Sequence, residues 1–405
     1  LASGFADIEG KSELAIGMTR LMMPILPFVS FAAVAMGMLN SRDRFGLPSL
    51  APALFNVVNI VIALGLYAFG LPKDDVAYGW AVGALVGSAA QFLVQWPGLR
   101  REGFRFRPDF RFNDPLIRDI LTTMAPATIA LAAVQINIFI SSDYASTQPS
   151  AVAWLNYAFR LLYLPMGLFG VAVGTIAGAR LSRLVASGSA ADAHAQMAQA
   201  LRLLLFLTLP SALGLICAGR PIVSLIYERG AFTAVDTAAV ATALAWMAIG
   251  LVAYASTKVF VPYFYAIRRP RVPLVASLLA VGANLLTLSL LFDSLGFEAA
   301  GLGLALGSLT NGGVLLAVYR GPEPLLRAID PRFLGALLVA AFGMSLVVMG
   351  AISMFEPTTH GLVGKLAGAL VPVILGAGSY LGLTVAFRVP EAKQTLGLAR
   401  RLVGR

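Results

Sequence analysis

One cysteine in 405 residues, Cys217, cannot form an intrachain disulfide and is too little for a thiolate metal cluster. Histidine is almost as scarce, and both copies, His194 and His360, fall in segments that connect apolar runs. Charge is thin at 12% of residues, and all twenty Asp and Glu residues fall in loops, tails or the ends of apolar runs. No apolar run therefore holds paired carboxylates, a nucleophile beside a base, or a set of metal ligands, which leaves catalysis inside them without its groups. A glycine-rich phosphate loop with its lysine is missing too, which argues against an ATP-driven machine. Strict apolar–polar alternation is absent, which excludes the lipid-facing strands of a membrane barrel.

What is present is apolar length. The chain is 58% hydrophobic, far beyond a soluble globular domain, and eleven runs are long enough to cross a bilayer as helices. They lie near 21–39, 48–70, 77–97, 119–141, 151–179, 201–219, 239–266, 273–293, 299–319, 333–355 and 362–387. The net charge of +10 reads as topology, because the basic residues alternate in density from one connection to the next. Arg42, Arg44, the cluster Arg100 to Arg118, Arg180, Arg183, Arg202, Arg268, Arg269, Arg271, Arg320, Arg327, Arg332 and the C-terminal tail place 22 of 30 on one side. Six lie opposite, and Arg160 and Lys258 lie within spans. The positive-inside rule puts the crowded side and the C-terminus in the cytoplasm and the N-terminus outside. The excess charge thus serves topology and anionic headgroups, not nucleic acid.

Two segments echo one another half a chain apart. Arg44-x3-Pro48-x10-Asn59 at the second span is matched by Arg269-x3-Pro273-x10-Asn284 at the eighth. One span later, Gly83-x3-Gly87-Ser88-x2-Gln91 is matched by Gly303-x3-Gly307-Ser308-x2-Asn311. Two patterns in the same order at matching spans point to a duplication, and parallel repeats of this kind build two membrane lobes around a central site. The expectation is an all-α polytopic membrane protein with about eleven transmembrane helices. Residues 1–118 form a partial N-lobe of three spans with a cytoplasmic linker, and 119–320 a complete six-helix C-lobe. Residues 321–405 then supply two additional C-terminal helices and a basic tail. The fourth to sixth spans would have counterparts before residue 1, so three further helices are expected upstream.

Arg160 carries the functional argument. A charge at the centre of a span costs at least about 2.5–3.5 kcal/mol, and no carboxylate in any span can neutralise it. A guanidinium so placed is expected to face protein or water and to await an anion that comes and goes. It lies about 15 Å from the outer end of its span at helical rise, a long reach for a snorkelling side chain. Lys258 also sits near mid-depth; it either snorkels to the inner interface or faces the same cavity. Gln135, Asn137, Asn156, Asn284 and Asn311 could line that cavity or hydrogen-bond between helices. The ladders Gly170–Gly174–Gly178 and Gly79–Gly83–Gly87 read as close-packing faces. Pro126, Pro165, Pro210 and Pro262 interrupt spans, as helices that bend or line a cavity tolerate.

Specific strings now carry a resemblance. Asn156-Tyr-Ala-Phe-Arg160-Leu-Leu-Tyr-Leu-Pro165-Met-Gly167-Leu-Phe-Gly170-Val-Ala-Val-Gly174-Thr175 resembles the signature helix of the MurJ/MviN lipid II flippases. Leu39 to Pro48, Ala51 to Asn56, Tyr227 to Asp236, and Lys258-Val-Phe-Val-Pro262-Tyr-Phe-Tyr265 are similar to other parts of that family. The family belongs to the multidrug/oligosaccharidyl-lipid/polysaccharide exporter superfamily, and the chain resembles its fourth to fourteenth helices. The resemblance implies a multi-pass protein of the bacterial inner membrane that moves lipid II, the undecaprenyl-pyrophosphate-linked precursor of peptidoglycan, by alternating access. Arg160 matches the family's cavity arginine, which is implicated in engaging the pyrophosphate. Lys258, Asn156, Gln135, Asn137, Asn284 and Asn311 complete the expected substrate-binding set, and Pro165, Gly167, Gly170, Gly174 and Pro262 the hinge and packing set. The resemblance implies no cofactor or metal, a dependence on membrane potential or a monovalent cation, and contact with bilayer lipids and the cell-wall synthesis machinery. Phe159 and Tyr163 stand where the family often has acidic or polar residues, and Ala177-Gly178-Ala179-Arg180 where it has Leu-Pro. The competing readings are a related polysaccharide-lipid flippase or multidrug exporter, and a non-transporting membrane scaffold.

Overall fold

The computed structural model describes residues 10–44, 46–70, 72–105, 114–355 and 361–393. His360 and the basic residues Arg107, Arg111, Arg400, Arg401 and Arg405 lie outside that set. Every regular element among the described residues is a helix. That follows from the medium: a lipid-exposed backbone must satisfy its own N–H and C=O groups, and a helix does so within one segment. The chain divides into two compact units, one over Phe5–Asp114 and one whose body is Pro115–Arg405.

The shorter unit holds α1 (Lys11–Met22), α2 (Ile25–Asn40), α3 (Gly46–Ala68), α4 (Lys73–Leu93) and the short α5 (Trp96–Arg101). The expected first span, 21–39, falls almost wholly in α2, and α1 with α2 makes one bilayer-length segment, Lys11–Asn40, with a turn at Pro24, which cannot donate a backbone hydrogen bond. The α4 glycines let α3 approach. A Cβ at Gly83 would meet Asn59 Oδ1 at 3.3 Å, and one at Gly87 would meet the Phe55 carbonyl oxygen at 3.0 Å.

The longer unit holds α6 (Pro115–Ala145), α7 (Ala151–Pro165), a π-helical segment (Met166–Val171), α8 (Ala172–Ala186) and α9 (Ala190–Tyr227). It continues with α10 (Ala234–Ile249), α11 (Leu251–Ala266), α12 (Arg271–Leu295), α13 (Glu298–Val318), the one-turn α14 (Leu325–Ala328), α15 (Pro331–Phe355) and α16 (Gly361–Ala386). The repeat reappears in three dimensions between α12 and α13. A Cβ at Gly303 would strike Asn284 Oδ1, and one at Gly307 would lie 2.9 Å from the Ala280 carbonyl oxygen. Asn59 and Phe55 stand four residues apart, as do Asn284 and Ala280, so both pairs of helices are packed by the same device.

Among the described residues, nine helical segments have the length and apolar composition to cross a membrane, and α10 with α11, bent by 46°, makes a tenth. The remaining expected span, 119–141, lies within α6. The α10–α11 break falls at Gly250, where a Cβ would come within 2.8 Å of Ala305 Cα on α13. Thr233 and Asp236 cap α10 reciprocally, with the Thr233 N–H donating to Asp236 Oδ2 at 2.8 Å.

The C-terminal pair α15–α16 packs against α9 within the longer unit. The Tyr380 hydroxyl donates to the Phe206 carbonyl at 2.8 Å, and Arg202 Nε meets Glu391 Oε1 at 2.8 Å with its guanidinium over the Phe333 ring. His194, expected in a connecting segment, is in the first turns of α9 and buried, with Nδ1 2.9 Å from the Tyr319 hydroxyl. The helix begins well before the apolar run that marks it in the sequence.

Candidate functional site

The helix that carries Arg160 has two faces. Ala151, Leu155, Ala158, Leu162, Met166, Gly170, Gly174, Ala177 and Leu181 are buried, whereas Asn156, Arg160, Tyr163, Gly167, Val171 and Thr175 are exposed. Pro165 has no N–H to return to the preceding turn, and the chain widens immediately afterwards into the π-helical segment. Helical order resumes at Ala172 with the glycine face still turned toward α11.

Arg160 makes no ion pair with any described residue. Its guanidinium carbon lies 6.0 Å from the centroid of the Tyr157 ring, one turn earlier. Tyr157 packs in turn on Tyr227 and Phe232, with centroids 4.7 and 5.4 Å away. Lys258 on α11 is half-buried, its ammonium 5.3 Å from the Tyr254 centroid, and it too lacks an ion pair with a described residue. The stem of Lys258 is pressed against α8, because a Cβ at Gly174 would lie 2.7 Å from both its Cβ and its carbonyl oxygen. Further along the ladder, Gly178 faces the Pro262 ring at 3.0 Å, Gly170 faces Ala255 at 3.5 Å, and Gly167 faces open space.

The expected amides divide into two groups. Asn137 and Asn284 meet across α6 and α12, with Asn284 Nδ2 donating to Asn137 Oδ1 at 2.6 Å and to Ser141 Oγ at 3.0 Å. Asn284 is fully buried, so its hydrogen bonds serve the interhelical one of its two readings. Asn311 donates to Ser277 Oγ at 3.4 Å, while its own Oδ1 is buried without a hydrogen-bond partner. Asn156 and Gln135 are exposed, and Asn156 donates back to the Val152 carbonyl of its own helix at 2.8 Å. The structure therefore does not gather all seven expected residues at one point.

Two residues outside the expected set come forward. The hydroxyls of Tyr163 and Tyr254 lie 3.4 Å apart, linking α7 to α11. Both line a cavity of about 60 Å³ together with Asn137, Phe159, Gly250 and Ser308. Tyr163 was visible in the sequence as a departure from the family pattern; nothing in the sequence marks Tyr254. Among the described residues, no group of three or more His, Cys, Asp or Glu side chains is placed to hold a metal ion.

A second polar cluster ties α9, α10 and α16. Glu228 accepts from the Thr237 hydroxyl at 2.7 Å and pairs with Lys365 at 3.1 Å. The Thr237 hydrogen bond, assisted by Lys365 against partial burial, holds the Glu228 carboxyl below its ordinary value. These groups line a cavity of about 350 Å³ with Cys217, Arg220 and Ser224.

A family model described as lipid II flippase MurJ matches residues 1–369. A protein of Rhizobium meliloti (strain 1021) named "Probable lipid II flippase MurJ" is 33% identical over 352 residues, covering 84% of this chain and 65% of its own length. A "Lipid II flippase MurJ" of Burkholderia cenocepacia is 32% identical over 352 residues, covering 84% of this chain and 67% of its own. The Vibrio cholerae protein named "Probable lipid II flippase MurJ" is 32% identical over 397 residues, covering 94% and 72%. The chain thus spans about two thirds of the length of the curated relatives it matches. A solved structure titled "Lipid II flippase MurJ, inward closed conformation" superposes with a TM-score of 0.75 at 22% identity, over 93% of this chain and 75% of that one. At that identity the superposition establishes the shared fold.

Proposed function

The chain belongs to the lipid II flippase MurJ family, and from that premise we propose that it is the lipid II-translocating part of a multi-pass inner-membrane flippase. Transport proceeds by alternating access, with the crowded basic side and the C-terminus in the cytoplasm. The observation that carries the reading is Arg160: an arginine on the exposed face of a bilayer-length helix, with no ion pair to any described residue. A guanidinium offers paired N–H donors in the geometry of a phosphate's oxygens and cannot lose its proton. The diphosphate of the lipid-linked precursor is the anion it suits. Tyr157 flanks the charge without cancelling it, so the guanidinium stays available.

The π-helical segment after Pro165 and the 46° break between α10 and α11 give the two helices that carry Arg160 and Lys258 places to bend. We take membrane potential or a monovalent cation as the driving force, as the resemblance to the family implies.

Complementation of a strain depleted of its lipid II flippase tests the reading, with the substitutions placed in the parent protein. Arg160→Ala is expected to abolish growth rescue with normal membrane insertion. Arg160→Lys is expected to rescue only in part, since an ammonium cannot reproduce the bidentate contact. Full rescue by the alanine variant would remove Arg160 from the mechanism.

A further inference from the structure

The two cations inside the expected spans, Arg160 and Lys258, each rest on the ring of a tyrosine one turn earlier on the same helix. Arg160 lies over Tyr157 and Lys258 over Tyr254, at 6.0 and 5.3 Å from the ring centroids. The Tyr254 hydroxyl reaches across to that of Tyr163 at 3.4 Å, with the two rings set edge-on at 6.4 Å. Tyr163 lies three residues after Arg160, so one contact joins the helix of the first cation to the tyrosine that carries the second.

The chemistry of this arrangement differs from an ion pair. A carboxylate beside Lys258 would cancel its charge and compete with an arriving anion. The face of an aromatic ring attracts an ammonium and leaves its charge in place. It also decides where the ammonium points, because a four-carbon stem otherwise lets a lysine at this depth snorkel to the interface. The stem has little freedom at its base, where Lys258 Cβ and its carbonyl oxygen lie against Gly174. The Tyr163 hydroxyl is the one hydrogen-bond partner of the Tyr254 hydroxyl among the described residues, and that contact orients the ring.

We infer that Tyr254 is a positioning residue for the transported anion: its ring holds the Lys258 ammonium at mid-depth as a second cation for a diphosphate, and its contact with Tyr163 ties that ammonium to the helix that carries Arg160. The inference rests on the transport reading above and deepens it, making the site selective for two phosphoryl groups over one.

The test measures binding of undecaprenyl pyrophosphate and of undecaprenyl phosphate to the purified parent protein in nanodiscs. The wild type prefers the pyrophosphate. Lys258→Gln lowers that preference about tenfold, the order of one charged hydrogen bond. Tyr254→Leu lowers it equally, and the double variant goes no lower than either. Tyr254→Phe keeps the ring and most of the preference. Tyr254→Leu with a wild-type ratio, or with a loss that multiplies with that of Lys258→Gln, overturns the role of Tyr254. A wild-type parent protein that binds neither lipid overturns the transport reading itself, whereas binding lost in Arg160→Ala and unchanged in Tyr254→Leu overturns only this inference. A second readout does not depend on substrate. Acylation of the Lys258 amine by an aqueous reagent should speed up several-fold in Tyr254→Leu, where the ammonium is free to reach the interface, and not in Tyr254→Phe. Equal labelling of Tyr254→Leu and wild type contradicts the cation–ring contact as the holding device.

Discussion

Replacing Gly174 by alanine puts one methyl group where the structure has no room for it. The new Cβ would lie 2.7 Å from Lys258 Cβ and 2.7 Å from its carbonyl oxygen, about 0.7 Å inside an ordinary 3.4 Å contact. The atoms in the way are backbone or directly attached to it, so no side-chain rotation relieves the clash, and α8 and α11 must part. Overpacking of this kind costs about 1–3 kcal/mol, offset by up to about 1 kcal/mol from alanine's better helix propensity. The expected net loss is about 1–2 kcal/mol, and the displaced stem carries the Lys258 ammonium with it. Thermal unfolding in one detergent is the assay, and the same ladder provides its controls. Gly170→Ala meets Ala255 at 3.5 Å, an ordinary contact, and should be neutral, as should Gly167→Ala, which meets nothing within 4 Å. Gly178→Ala, 3.0 Å from the Pro262 ring, should fall between. A Gly174→Ala protein as stable as the wild type, or an equal loss in Gly167→Ala, would refute the packing argument.

Asn284→Leu should cost about 1 kcal/mol by the same assay, since Asn137 and Ser141 lose their donor. Asn137→Leu with Asn284→Leu should cost less than the sum of the two. The Glu228 carboxyl, held below its ordinary value chiefly by Thr237, contributes stability that is fully present above the ordinary carboxylate value. That contribution is lost as pH falls through the lowered folded value, so Glu228→Gln should flatten the acid limb of the melting profile. In a chain whose Cys217 is replaced by serine, a cysteine at 100–105 should resist an impermeant thiol reagent in intact cells, and one at 146–150 should react. The reverse pattern would invert the topology.

Fold was legible in this sequence because the bilayer simplifies the code. Apolar length marks the helices, and the Asn59–Gly83–Gly87 and Asn284–Gly303–Gly307 echoes foretold two helix pairs packed alike. What escaped has two physical origins. Helix ends are set by polar residues beyond the apolar run, so α9 starts at Ala190 and takes in His194. Long-range pairs have no local signal: Arg202 and Glu391 lie 189 residues apart, Glu228 and Lys365 137, and Tyr163 and Tyr254 91. Arg160 was visible because an uncompensated charge in an apolar run is conspicuous by itself, whereas Tyr254 is one aromatic among many. Asn284 was visible as a polar residue in a span, but only the position of Asn137 decides that its amide bonds between helices.

The central claim, that this chain moves lipid II across the inner membrane, is tested most directly by the sidedness of lipid II itself. After depletion of the protein that carries this chain, an enzyme added outside spheroplasts should find lipid II inaccessible at the outer face while the total lipid II pool persists. Re-expression of the wild type should restore access, and the Arg160→Ala variant should not. Undiminished outer-face lipid II throughout depletion, with no other flippase active, would contradict the account.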